Sequence, residues 1–198
     1  SFLNPSNPYG NTKLTIEKIL NDIYTENPSS WKIACLRYFN PIGAHKSSLI
    51  GENPVRNPNN LFPLICNAAF EDNKKLKIFG SDWDTIDGTC IRDFIHVSDV
   101  AEGHLRTLEY LNNHKANILK MNIGTGLGTS VLELVETFSR VNKININYKF
   151  TSRREGDLKE IVADNSLASS LLNWKPNRSL EEMCIDGWNW KKNNVNGF

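Results

Sequence analysis

Tyr9 and Lys13 stand four residues apart in the stretch PYGNTK. Asn7 before Pro8 has the chemistry of an N-cap with proline in the first turn, which predicts a helix over residues 8–25. Side chains four apart on a helix stack on one face, so the Lys13 ammonium is expected beside the Tyr9 phenol. A cation there favours phenolate over phenol. A phenol so poised can take a proton from a hydroxyl and return it. Such a pair also arises by chance in a lysine-rich chain with five tyrosines, so alone it is weak evidence.

Other residue types suit anions and sugars. Arg92, Arg153 and Arg154 fall in or beside loops, and two arginines from different loops could clamp a diphosphate. Each could equally make a structural ion pair, and Arg92 with Asp93 could pair locally. Asp157 could accept from ribose hydroxyls, while Asn40 and Asn60 could donate to phosphate or sugar oxygens. In so Asn-rich a chain an isolated asparagine means little. GTGLG at 124–128 is not a dinucleotide fingerprint, because the third glycine position holds Thr129. The four histidines (His45, His96, His104, His114) have no metal-ligand spacing, and no metal is expected.

These residues need a frame. KIACLRYF at 32–39 is almost continuously apolar and predicts a buried parallel strand. A helix followed by such a strand implies a βαβ sheet, with ligands at the strands' carboxyl ends. That places Tyr38, Phe39 and Asn40 at a site edge. Residues 40–60 predict a loop, 61–71 a helix, 76–79 a strand, and 80–90 a polar loop. IRDFIHV at 91–97 alternates weakly, and Ser98 is the expected N-cap of a helix to about residue 111. Residues 120–124 and 146–150 predict strands. Capping boxes at Ser130/Glu133 and Ser179/Glu182 start helices to about 141 and 192. A further helix is expected over 164–174. Trp174, Trp188 and Trp190 fall in the last two helices, where packing is their plainest role.

The 198 residues suit one ordinary domain or part of a larger protein, and the chain opens in a loop without methionine, as the second part of a longer one would. A net charge of +1 gives no electrostatic argument for nucleic acid or an anionic membrane, so any phosphate binding must come from a few placed residues. No apolar run approaches a bilayer span, and no membrane partner is expected. The scattered cysteines, without a C-x-x-C pair, suggest reduced and mostly buried thiols and a cytoplasmic location.

In order, NPYGNTK, LRYFNPIGAH, PNNL, IFGSDWDTIDGTCIRDFIHVSDVAEGH, NIGTGLGTSVLELV and RREGD resemble the UDP-glucose 4-epimerases (UDP-galactose 4-epimerases), extended short-chain dehydrogenases. The resemblance covers nearly the whole chain, and DGT-x-x-RDFIHV and RREGD are its most discriminating parts. It implies an α/β fold: the C-terminal part of a Rossmann-type doubly wound parallel sheet plus a smaller α/β substrate-binding domain. Residues 1–45 would close the dinucleotide-binding domain, with 91–129 returning to it, and 46–90 and 130–198 would form the substrate domain. It implies NAD as cofactor, UDP-glucose and UDP-galactose as substrates, and a homodimer. Tyr9 would be the catalytic acid/base, with Lys13 tuning it and holding the nicotinamide ribose. Phe39 would lie beside the nicotinamide and Tyr38 near its amide. Asn40, Asn60 with Leu61, and the backbone at Lys77, Ile78 and Phe79 would contact the UDP-sugar. Arg92 and Arg154 would hold the diphosphate, and Asp157 the uridine ribose. The family's glycine-rich fingerprint, acidic ribose ligand and Ser/Thr of the triad lie upstream of Tyr9, so this chain alone is not expected to bind NAD or turn over. Ile161 stands where relatives vary with tolerance of N-acetyl sugars, which leaves UDP-N-acetylhexosamines open. Two alternatives stand beside this reading: another UDP-sugar epimerase (N-acetylhexosamine, pentose or uronate), and a non-catalytic nucleotide-sugar binding module.

Overall fold

A computed structural model describes Pro5 and residues 7–54, 58–71 and 74–195. The chain opens with helix α1 (Pro8–Glu26), capped as expected: the Asn7 side chain accepts from the Gly10 N–H at 2.8 Å, and proline follows at the first helical position. Strand β1 (Lys32–Tyr38) pairs in parallel with β6 (Asn117–Ile123). Beyond Tyr38 the backbone changes partner. Phe39 N–H still donates to Ile123 O, and β2 (Asn40–Ile42) then runs parallel to β5 (Phe94–His96).

Alternation along β1 sends successive side chains to opposite faces. On one face Arg37 makes two 2.6 Å hydrogen bonds to Glu17 of α1. On the other, Ala34 and Leu36 pack into a core of Ile95, Val100, Leu119, Met121, Ile123, Ala168, Leu172 and Trp174. That core joins β6 to α3 (Val97–Asn113) and α5 (Ser166–Leu172). A second, larger core lies between α2 (Leu61–Phe70), β3 (Leu76–Phe79), α4 (Val131–Asn142) and α6 (Leu180–Asn193). Its centre is the fully buried Phe138 ring, edge-on to both Phe62 and Trp188. Strand β3 pairs in parallel with β8 (Tyr148–Thr151). Strand β4 (Ile91–Arg92) runs parallel to β9 (Glu160–Ile161) and antiparallel to β7 (Thr129–Ser130).

The capping boxes at Ser130/Glu133 and Ser179/Glu182 are both formed, and the four cysteines are free thiols. Several expectations need correction. The N-cap of α3 is His96, whose ring nitrogen accepts from Ser98 N–H at 3.0 Å, because Ser98 is already helical. IRDFIHV is two short strands broken at Asp93. The Asp93 carboxylate turns inward instead of pairing with Arg92. It is fully buried and accepts from Thr125 N–H, Thr125 Oγ1, Gly126 N–H and Ala163 N–H. Strand β1 is only partly buried, since among the described residues just one of its edges is paired. Trp174 lies beyond the end of α5, buried in the first core. Residues 55–57 of the long 40–60 loop lie outside the described residues, and its first three residues form β2.

Candidate active site

The residues expected to grip a nucleotide sugar come from five segments between residues 40 and 157. All nine line one cleft of about 210 Å³: Asn40, Asn60, Leu61, Lys77, Ile78, Phe79, Arg92, Arg154 and Asp157. Each is placed by local structure. Asn40 starts β2, where its N–H is fixed by Asp93 O at 3.0 Å. Asn60 occupies the N-cap position of α2 without using its side chain as a cap, which leaves that amide for the cleft and a long 3.4 Å contact to Glu52. Period-two alternation along β3 buries Leu76 and Ile78 and turns Lys77 outward.

The cleft's electrostatics differ from the chain's near-neutral balance. The residues that line the cleft include three basic ones, Lys77, Arg92 and Arg154, and one acidic one, Asp157. The N-terminal turn of α2, which holds no acidic residue, adds its partial positive charge. Arg92 is braced from behind: one guanidinium nitrogen donates to Ile91 O at 2.8 Å and Leu158 O at 2.9 Å, and another lies 3.6 Å from Asp157. Arg154 lies over the Phe79 ring, 3.9 Å from its centroid. The third arginine, Arg153, takes the structural role. It donates to Asp82 Oδ1 and Asp82 O and stacks on Trp83.

Sequence reasoning missed Asn59, Leu64, Cys90, Phe94 and Val131 in the cleft wall. Asn59 adjoins Asn60 in PNNL, which was a usable signal; the apolar four had none. Cys90 is buried, and burial pushes its thiol up from the ordinary value, away from the thiolate. The DGT segment builds the wall from behind. Asp87 accepts from Thr89 N–H, Thr89 Oγ1 and the Ser130 hydroxyl. Burial alone would raise the Asp87 carboxyl, but these bonds outweigh it and hold it low. The loop is thereby fastened to the start of α4.

Tyr9 and Lys13 belong to a different cleft, of about 340 Å³, shared with Tyr38, Arg37 and the α1 residues Ile16, Glu17 and Leu20. The helical spacing works as expected, with Lys13 Nζ 5.3 Å from the Tyr9 ring centroid. Tyr9 itself is 71% exposed. The Tyr38 hydroxyl meets His104 Nε2 at 2.7 Å, and the other ring nitrogen of His104 donates to Val100 O at 2.8 Å. Phe39 lines neither cleft. The GTGLG loop is filled by the Asp93 carboxylate; a Cβ at Gly124 would stand 2.7 Å from Asp93 Oδ2 and 2.6 Å from Ala163 Cβ. Glycine is there for a carboxylate of this chain. Among the described residues no group of His, Cys, Asp or Glu could hold a metal ion, and no helix is long and apolar enough to cross a membrane.

The chain is similar to known proteins. A model of the NAD dependent epimerase/dehydratase family matches residues 1–124. The chain is 48% identical over 197 residues to a UDP-glucose 4-epimerase of Bacillus subtilis (strain 168), covering 99% of this chain and 57% of that relative. The crystal structure of the UDP-glucose 4-epimerase from Bifidobacterium longum in complex with NAD+ and UDP aligns at a TM-score of 0.91 and 42% identity, over 97% of this chain and 56% of that one. The enzyme of Stenotrophomonas maltophila, with bound NAD and formylated UDP-arabinopyranose, aligns at 0.90 and 42% identity, over 94% of this chain and 55% of that one. The chain spans about half the length of the curated relatives it matches. Its fold is the mixed α/β, parallel-stranded fold of those structures.

Proposed function

This chain belongs to the NAD dependent epimerase/dehydratase family, and from that premise we propose that it carries the substrate cleft and the acid/base pair of an NAD-dependent UDP-glucose 4-epimerase. The observation behind this is the convergence of nine nucleotide-sugar residues, 117 positions apart from first to last, on one cationic cleft. The diphosphate lies against Arg92 and Arg154, the uridine ribose against Asp157, and the hexose towards Asn40 and Asn60.

Tyr9, Lys13 and Tyr38 share a cleft beside the carboxyl end of β1, which fits the nicotinamide end of NAD. Tyr9 and Lys13 would hold its ribose, Phe39 would lie beside the nicotinamide, and Tyr38, with its hydroxyl fixed on His104, near its amide. When bound, NAD supplies a hydride acceptor and donor for C4 of the sugar. Tyr9 takes the proton from the 4-hydroxyl and later returns it, with Lys13 held beside its ring. The 4-keto sugar turns over within the cleft, and the arginines keep the UDP tethered while it does. The product is the C4 epimer, so UDP-glucose and UDP-galactose interconvert, a step of galactose metabolism.

The chain would divide into a dinucleotide-binding unit (1–45 and 91–129) and a substrate unit (46–90 and 130–198), which the two hydrophobic cores follow except that Ile42 and Phe94 pack in the second core and Ala168, Leu172 and Trp174 in the first. Reduced, free thiols fit a cytoplasmic protein. The exposed Ile16, Ile19 and Ile23 on α1 fit a homodimer contact.

The test is to incubate the full-length protein carrying this sequence with UDP-galactose and identify the products by NMR. UDP-glucose should form without added oxidant. No conversion with NAD bound would turn the assignment to another UDP-sugar, beginning with the N-acetylated pair. No conversion and no bound NAD would favour a non-catalytic nucleotide-sugar binder.

A further inference from the structure

Arg153 and Arg154 are adjacent in sequence, and each guanidinium lies 3.9 Å from the centroid of its own aromatic ring, Trp83 and Phe79 respectively. Their other partners differ. Arg153 is spent on Asp82, through bonds of 2.8 and 2.7 Å. Arg154 has no carboxylate partner among the described residues and lines the cleft. Among the described residues, the Phe79 ring is the side chain on which its guanidinium rests.

That ring is itself well fixed. Phe79 ends β3 in register with Thr151 of β8. The next residue, Gly80, has φ +81° and packs so tightly on Trp83 that a Cβ there would stand 2.4 Å from the indole nitrogen. A guanidinium resting on an aromatic face gives up water on one side and keeps its N–H edge for planar recognition of phosphate oxygens. Ordering that side chain in advance removes part of the entropy cost of binding.

We infer that Phe79 is a positioning residue: its ring presets the Arg154 guanidinium for the diphosphate, an action separate from any contact with the nucleotide. This rests on the nucleotide-sugar reading of the cleft. The test measures dissociation constants of UDP and of uridine, by calorimetry or NMR titration, on the full-length protein and its variants. Phe79→Leu should weaken UDP about tenfold and leave uridine unchanged. In an Arg154→Ala background, which itself weakens UDP, Phe79→Leu should add almost nothing, because the two act as one unit. Phe79→Trp, which keeps a ring face, should hold UDP as tightly as the native chain.

Equal losses for UDP and uridine would mean that Phe79 serves the base directly, and the inference would fall. Additive losses in the double variant, or a loss with Phe79→Trp as large as with leucine, would overturn it as well. Wild-type protein that binds UDP no better than uridine would instead remove the diphosphate site from which the inference starts.

Discussion

At the scale of the residue, chemistry here depends on which side chains are already engaged. Among the described residues Lys13 beside Tyr9 and Arg154 in the cleft have no carboxylate partner, whereas Arg153 and Arg37 are locked into carboxylates. Tyr9→Phe removes the proton acceptor and keeps the shape of helix and cleft. Turnover of the full-length protein should fall by at least a hundredfold, with UDP affinity unchanged in the same titration. Activity surviving that change would remove Tyr9 from the acid/base role. Asp93 makes the opposite case, a carboxylate engaged by four donors and fully buried. Asp93→Asn puts an NH2 group where Oδ2 receives Gly126 N–H and Ala163 N–H, so one buried and one part-buried donor lose their acceptor. Urea unfolding should register a loss of about 2–4 kcal/mol. A loss below about 1 kcal/mol would show that the loop satisfies those donors by other means.

Among the elements, α3 carries a pH dependence through its cap. His96 is buried, and its Nδ1 accepts from Ser98 N–H, which leaves the ring's proton on Nε2 facing Asp186 at 3.3 Å. Burial holds the His96 pKa below the ordinary 6.5, against the opposing pull of Asp186. The folded chain thus binds this proton less readily than the unfolded one. The stability His96 contributes is fully present above about pH 6.5 and is lost as pH falls through the lowered folded value. Protonation also puts a hydrogen on the nitrogen that caps the helix. Urea midpoints measured between pH 7.5 and 5 should therefore fall more steeply for the native chain than for His96→Asn, whose cap does not titrate. Parallel slopes would clear His96 of the effect. Boundaries such as this one were hard to read from sequence, because a serine after a histidine is the commoner N-cap and only the backbone turn decides between them.

For the whole molecule, the open question is what covers α1. No residue of that helix is buried, and Ile16, Ile19 and Ile23 remain between 38% and 52% exposed. If this face joins two copies, light scattering on the full-length protein should return twice the chain mass, and Ile19→Asp should halve it. A monomeric native mass would dismiss the contact.

The sequence by itself determined what is local or carried by spacing. It determined the Tyr9–Lys13 stack on α1, the caps at Asn7, Ser130 and Ser179, the βαβ order, and the failure of GTGLG as a fingerprint. Those follow from helical and strand periodicity and from the φ/ψ and hydrogen-bond needs of single residues. Through its segment-level resemblance it also pointed to the nine cleft residues. Only the tertiary structure decided how the charges are shared out. Asp93 had Arg92 as its neighbour in the chain, yet it found Thr125, Gly126 and Ala163 in two other segments. Arg153 and Arg154, alike in sequence, parted into a structural ion pair and a cation with no carboxylate partner among the described residues. Partner choice among charged groups is set by distance and burial across the fold, and a linear spacing contains neither.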